Sequence, residues 1–416
     1  MNGAPWNNGN TVNYYVGKRF FMIPFSEALE ITLGRARTLG STTVPLSEAA
    51  GRVLAQDVAC DVDMPPFNKS AMDGYACRRA DLPGPLKVVE TIQAGKPPEK
   101  PVCAKECAKI MTGAMVPEGA DCVIMVEHTQ TNEDGHVVFT RESTATNICY
   151  CGEDVKAGAT VLRRGIRIAP QHIAVLAAAG CSMPLVAQRP RVAVVATGDE
   201  LVEPDTLPGP SQIRNTNSHQ IRAQMEQTGA QVTYYGIGAD TLSALNTLIQ
   251  EIQHENEVLL LSGGVSMGDY DLVPQALTEN GFEILFDAIA MKPGKPTTFA
   301  VSESAACFGL PGNPVSTFVQ GEILVKPFLY ALMGHTYRPH SSWHPLAESF
   351  TRKKTEREAW IPVMVDDNDA ICPISYHGSA HIAALCDAYG FMTVPQGVAS
   401  IPEGAMMRVM LIVPTG

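Results

Sequence analysis

No apolar run in this chain approaches the ~20 residues that a bilayer-spanning helix requires; VLLL at 258–261 and IAVLAAAG at 173–180 are far shorter. Positive charge is scarce too: 31 Lys and Arg against 43 Asp and Glu leave a formal net charge of −12, which removes any general attraction to nucleic acid or anionic lipid. An anionic ligand therefore needs a local site. Paired CxxC sets are missing. The 11 cysteines are odd in number, with spacings such as Cys103-x3-Cys107 and Cys149-x-Cys151. They offer no zinc pattern, so free thiols in a reducing cytoplasm are expected. The first 21 residues are polar and Asn-rich and lack an apolar signal core, which argues against secretion and predicts a poorly ordered, dispensable tail.

Aromatic residues supply only 6% of the chain, yet 45% is hydrophobic and 18% charged, which supports buried cores and excludes whole-chain disorder. At 416 residues the chain exceeds one ordinary core and predicts roughly three domains. Between positions 24 and 54, FSEALEITLGRARTLG and VPLSEAAGRVLA read as two helices, the second opened by Ser47 as cap. Short β-like runs follow from about 60 to 167 (LKVVETI, AKIMTGA, DCVIMVEHT, GHVVFT). IAPQHIAVLAAAG then reads as a helix closed by Gly180. From Arg191 the pattern alternates strand, loop and helix: RVAVVA, QVTYYGI and EVLLLSGG each precede a helical stretch, and CFGLPGNP leads into a helix from Pro314 to about Met333. That alternation predicts a parallel α/β layer. A β-rich segment closes the chain.

Ligands of open α/β sheets gather at the carboxyl ends of the strands. The loops there are TGDEL (197–201), GADT (238–241), SGGVSMGDYD (262–271) and PGNPVS (311–316), and they are expected on one rim. Ser262-Gly263-Gly264 and Gly312-Asn313 place little side chain where backbone can cradle an anion. MKPGKP sets Lys292 and Lys295 around a Pro-Gly turn, two ammonium groups able to converge on an oxyanion. Glu200, Asp240 and Asp271 each occupy one of the strand-end loops, and clustered carboxylates beside a phosphate site call for Mg2+. Asp199 is better read as a solvated surface charge or a turn-capping residue.

With PPFNKSAMDGYA (65–76), IMTGAMVPEGAD (110–121) and CGEDVKAG (151–158), these loops closely resemble the MoeA family of molybdopterin molybdenumtransferases, to which the E domain of gephyrin is similar. The resemblance starts near Ile23 and implies a multidomain α/β homodimer. Its parts would be a tail (1–21), N-terminal helices and the start of a linking domain (22–60), an inserted β-rich module (61–150) and the return of the linking domain (151–188). An α/β molybdopterin-binding domain of MogA-like fold (189–338) and a C-terminal β-barrel-like domain (339–416) would follow.

Matched position by position, the resemblance makes Asp73, Glu200, Asp240 and Asp271 the catalytic carboxylates, with Asp240, Asp271 and Glu200 around Mg2+. It makes Thr112, Thr197, Gly198, Ser262, Gly263, Gly264, Pro311, Gly312 and Asn313 substrate-binding, and assigns molybdate to Lys292, Lys295 and Ser316, with Arg357 and Ser379 from the C-terminal part. One departure is Tyr270-Asp271-Leu272, where the family commonly has an aspartate followed by an aromatic. The implied reaction inserts molybdate, a substrate, into adenylylated molybdopterin in the cytoplasm and releases AMP and molybdenum cofactor. In the implied dimer the DGYA and MTGA loops of one subunit face the α/β site of the other. Molybdopterin adenylyltransferase and recipient molybdoenzymes are implied contacts; nucleic acid and membrane are not. The rival readings are an adenylyltransferase on the shared α/β domain and a scaffold that binds a receptor peptide.

Overall fold

The structure, a computed structural model, describes residues 22–264, 272–375 and 378–412. The tail at 1–21 and Asp271 lie outside the described residues. The chain separates into two compact units, one of residues 43–50 and 56–185, the other holding 51–55 and everything from 186 onward together with the N-terminal segment.

In the larger unit, helix α1 (Phe25–Gly34) precedes an α/β layer of β1 (Arg191–Thr197), α2 (Asn217–Glu226), β2 (Gln231–Gly238), α3 (Leu242–Ile252), β3 (Val258–Ser262), α4 (Val273–Glu279), β4 (Glu283–Ala288), β5 (Pro296–Val301), β6 (Ala306–Leu310), α5 (Pro314–Gln320) and α6 (Lys326–Leu332). The strands form one sheet in the order β2-β1-β3-β6-β5-β4. The first four run parallel, and β5 is antiparallel to both β6 and β4. Strands β1 and β3 are apolar along nearly their whole length because helices cover both faces. Val192, Val194 and Leu260 enter one core with Ile221, Phe299, Phe308 and Phe328. Their neighbours Ala193, Val195, Leu259 and Leu261 enter the other, against Leu245, Ile249 and Ala276. Leu245, Ile249 and Ile252 recur at helical spacing along α3, whose Thr241 caps the first turn through a 3.3 Å bond from the Ala244 N–H. Helix α1 buries Ala28 in the first core, and Phe25 packs edge-on against Trp360 at 5.6 Å.

The C-terminal strands β7 (Ser341–Pro345), β8 (Glu358–Val365), β9 (Ile371–Pro373), β10 (Gly390–Val394) and β11 (Met406–Leu411) make a second sheet. Its path begins with the short strand Met291–Lys292 and runs β8-β10-β11-β7, with β9 beside β8. Among the described residues the two ends of that path do not pair.

The smaller unit is β-rich. Its four-stranded sheet orders Lys87–Ile92, Glu106–Ile110, Gly74–Cys77 and Cys122–Met125, and its one α-helix is Pro170–Ala178, after which Gly180 turns the chain at φ +75°.

The second N-terminal helix expected over 44–55 does not form. Leu46–Glu48 is a single 3-10 turn introduced by Pro45, and no side chain caps it, so Ser47 is not a cap. Gly51 then adopts φ +78°, and Val53 and Leu54 continue in extended bridges to Ala187 and Val186. The apolar spacing was real, since Ala49, Val53 and Leu54 are buried. Pairing with a distant strand overrode the local preference.

Candidate active site

Because β1, β2, β3 and β6 are parallel, the loops at 197–200, 238–241, 262–264 and 311–316 leave from the same edge of the sheet. The turn between β4 and β5 joins them there, since β4 runs in the same sense as β6. This turn is also fixed from the other side: Met291 and Lys292 pair in register with Glu358 and Ala359 of β8. One short strand thus brings the lysine turn beside Arg357.

Two cavities lie along this rim. The first, about 390 Å3, is lined by Thr197, Glu200, Asn215, Asn217, Ser262 and Gly263, with Gly312 and Asn313 opposite. Asn217, nearly buried, donates from Nδ2 to the Ser262 hydroxyl and to the Gly312 carbonyl, both at 2.8 Å. It thereby ties the β3 loop to the β6 loop. Gly263 sits at φ +97°, and a Cβ there would stand 2.3 Å from the Thr197 carbonyl oxygen, so both backbone shape and space demand glycine. Behind the cavity, Asn215 donates to the Tyr234 hydroxyl at 2.7 Å, and that hydroxyl donates to Glu203 at 2.6 Å. Burial, then the Glu203 carboxylate, push the Tyr234 phenol well above its ordinary range.

The second cavity, about 630 Å3, gathers Lys292, Lys295, Pro311, Asn313, Ser316, Arg357 and Ser379 against an apolar wall that includes Phe350 and Ile361. Asn313 lines both cavities. Both lysines are exposed, and neither ammonium makes a hydrogen bond or ion pair among the described residues. Arg357 donates to the Met291 carbonyl at 3.2 Å. The Ser379 carbonyl accepts from the Val315 N–H at 2.9 Å, which occupies one of the first-turn amides of α5 that the sequence left free for an anion. The residues that the resemblance assigns to molybdate, Lys292, Lys295, Ser316, Arg357 and Ser379, line one cavity, whereas sequence reasoning missed Asn215 and Asn217. Their only signal was an Asn-rich run at the start of α2, which reads equally as helix capping.

Glu200 and Asp240 lie on adjacent strand-end loops. The Asp240 N–H donates to the Asp199 carboxylate at 3.4 Å, so Asp199 links its own loop to the neighbouring one. Oδ1 of Asp240 is buried without a hydrogen-bond partner among the described residues. Burial, followed by the negative charges of Asp199 and Glu200, raises the Asp240 carboxyl above its ordinary value. An orphaned carboxylate oxygen among like charges is donor chemistry suited to a hard divalent cation. Among the described residues no three acidic, His or Cys side chains are spaced as a complete metal site.

In the smaller unit, the DGYA and MTGA motifs meet. Oδ1 of Asp73 accepts from the Thr112 N–H at 2.6 Å and from the Thr112 hydroxyl at 2.8 Å. These bonds, the backbone one first, hold the Asp73 carboxyl below its ordinary range. CGEDVKAG closes a second contact there: Asp63 accepts from the Ala157 N–H at 2.8 Å and pairs with Lys156 at 3.6 Å.

Three family models match this chain: the MoeA N-terminal region (domain I and II) over residues 23–180, the probable molybdopterin binding domain over 193–331 and the MoeA C-terminal region (domain IV) over 345–412. The molybdopterin molybdenumtransferase of Staphylococcus epidermidis is 33% identical over 399 residues, covering 94% of this chain and 95% of the relative. That of Staphylococcus aureus is also 33% identical over the same coverage. A crystal structure of the molybdopterin biosynthesis MoeA protein from Pyrococcus horikoshii OT3 superimposes with a TM-score of 0.82 at 28% identity, covering 94% of this chain and all of that one.

Proposed function

This chain belongs to the MoeA family and is an enzyme of molybdenum cofactor biosynthesis, and from that premise we propose how its rim divides the work of inserting molybdate into adenylylated molybdopterin. The lysine-lined cavity takes the oxyanion. The cavity at the ends of β1 and β3 takes the adenylylated molybdopterin. One observation carries this reading: two lysine ammoniums without a partner among the described residues stand in a chain of net charge −12, in a cavity that shares Asn313 with its neighbour.

Lys292, Lys295 and Arg357 attract and hold the dianion, and the Ser316 hydroxyl orients it. Fixing both reactants side by side supplies most of the advantage, because it replaces a bimolecular encounter with a positioned one. Asn217 keeps the β3 and β6 loops at one spacing, while Gly263 and Gly264 let the backbone approach the ligand closely. Asp240 and Glu200, with Asp271, would hold Mg2+, which when bound supplies charge neutralisation at the pyrophosphate. Asp73, kept ionised by Thr112, supplies a further carboxylate. The working protein in this reading is a cytoplasmic homodimer in which the partner subunit's Asp73 completes each site. It receives substrate from molybdopterin adenylyltransferase and passes product to recipient molybdoenzymes. The adenylyltransferase reading is not favoured, since the similarity extends over all three matched regions rather than the α/β domain alone, and the scaffold reading is not favoured because the relatives matched over 94% of the chain are named molybdopterin molybdenumtransferases.

The direct test incubates purified protein with adenylylated molybdopterin, Mg2+ and molybdate and quantifies AMP and molybdenum cofactor. Equal, molybdate-dependent yields of both are expected. AMP release that ignores molybdate would sink the insertion reading.

A further inference from the structure

Among the described residues the ammonium groups of the two lysines have no hydrogen-bond or ion-pair partner, so they can converge only as well as the turn beneath them is fixed. That turn is held from below by a residue with no place in the sequence motifs. Gln320 is fully buried and stands four positions after Ser316 on α5, hence on the same helix face. Its Nε2 donates to the Gly294 carbonyl at 3.0 Å and lies 3.0 Å from the Met291 sulfur. Gly294, between Pro293 and Lys295, sits at φ +99°, and a Cβ there would come within 2.5 Å of Gln320 Nε2. The amide therefore packs directly on the glycine. The same carbonyl accepts a second bond from the buried Thr297 hydroxyl at 3.0 Å. Oε1 of Gln320 has no partner among the described residues. Rotating the amide by half a turn would set oxygen against the Gly294 carbonyl, so the donor orientation is dictated by that contact.

We propose that Gln320 is a positioning residue for the oxyanion subsite. It locks the Lys292–Lys295 turn onto the helix that carries Ser316, so that ammoniums and hydroxyl present one preformed site for a tetrahedral dianion. It acts on oxyanion affinity and leaves the neighbouring cavity alone, because none of its bonds reaches the loops after β1 or β3. The proposal rests on the assignment of the oxyanion to the lysine cavity, and the experiment separates the two.

Gln320→Leu keeps the volume and removes the donor; Gln320→Asn keeps the donor and shortens its reach. Both are compared with Lys292→Ala by steady-state kinetics, by molybdate binding in calorimetry and by thermal melting. For Gln320→Leu the expected signature is a ~10-fold rise in the KM for molybdate, with kcat and the KM for adenylylated molybdopterin within about 2-fold of wild type, the size of one lost hydrogen bond. Gln320→Asn should show a smaller rise of the same kind, and it carries the test if the leucine variant does not fold. If a folded Gln320 variant leaves molybdate affinity unchanged while Lys292→Ala weakens it, the positioning role is wrong and the oxyanion site stands. If Lys292→Ala also changes nothing, the oxyanion assignment itself fails. A variant that loses affinity for both substrates alike, or loses kcat, shows general loosening and overturns the proposal.

Discussion

Asp73 and Thr112 are 39 positions apart, yet they act as one unit, because the carboxylate draws both of its bonds from a single residue. Removing the hydroxyl alone by Thr112→Val should raise the Asp73 titration midpoint but leave it below the ordinary range, since the backbone bond is the larger cause and survives. The sign of the linkage follows. A depressed carboxylate contributes stability that is present above its unfolded pKa and lost as pH falls through its folded pKa, so the stability gap between wild type and variant should close in acid. Carbon-detected NMR of the Asp73 carboxyl checks this, and an unmoved midpoint refutes it. At the oxyanion cavity, Lys292→Ala and Lys295→Ala should each raise the KM for molybdate by about 10-fold or more while changing the KM for adenylylated molybdopterin little, because each removes a local cation whose partner is the oxyanion. Equal losses toward both substrates would show that the lysines serve the shared rim rather than one cavity.

Among the elements, the parallel strands and their helices were readable because RVAVVA and VLLL are continuous apolar runs that only a doubly covered sheet buries, and because Gly and Pro punctuate them. The helix from Pro314 was also readable, although it passes through a π turn at Gly321–Val325 before α6. What stayed hidden depended on tertiary pairing. Val53 and Leu54 look helical until Val186 and Ala187 are present, and Asn217 looks like a cap until Ser262 and Gly312 arrive. Gln320 looks like any helix glutamine until the lysine turn folds over it. Strand-end loops identified the rim, therefore, but not the side chains that brace it. Gly263 was expected to cradle an anion, and the structure shows why the position takes glycine. Gly263→Ala should cost about 1–3 kcal/mol of stability, the usual price of forcing a side chain into a left-handed, crowded position. It should also raise the KM for adenylylated molybdopterin more than that for molybdate. Chemical denaturation and steady-state kinetics measure both, and a variant as stable as wild type would mean the loop relaxes away from Thr197.

At the scale of the whole molecule, the carboxylates divide between the two compact units: Asp73 in one, Glu200 and Asp240 in the other. If each working site joins the partner subunit's Asp73 to Asp240, then Asp73→Asn and Asp240→Asn proteins should each be nearly inactive alone. Asn preserves shape while removing the charge that each carboxylate brings to the site. Mixed and allowed to exchange subunits, the two variants should regain activity. In the heterodimer one composite site receives both intact residues and the other receives both defects, so each heterodimer carries one working site. Recovery should appear only when exchange is permitted, and it should track the heterodimer fraction measured by native mass spectrometry with differently tagged subunits. A control mixture of Asp240→Asn with Glu200→Gln should not recover in the same way. Both of those residues belong to the same unit, so each site in that heterodimer keeps one defect. If verified Asp73→Asn/Asp240→Asn heterodimers stay as inactive as their parents, Asp73 serves its own chain, and the Asp73–Thr112 contact is a brace for the DGYA loop rather than part of a shared site.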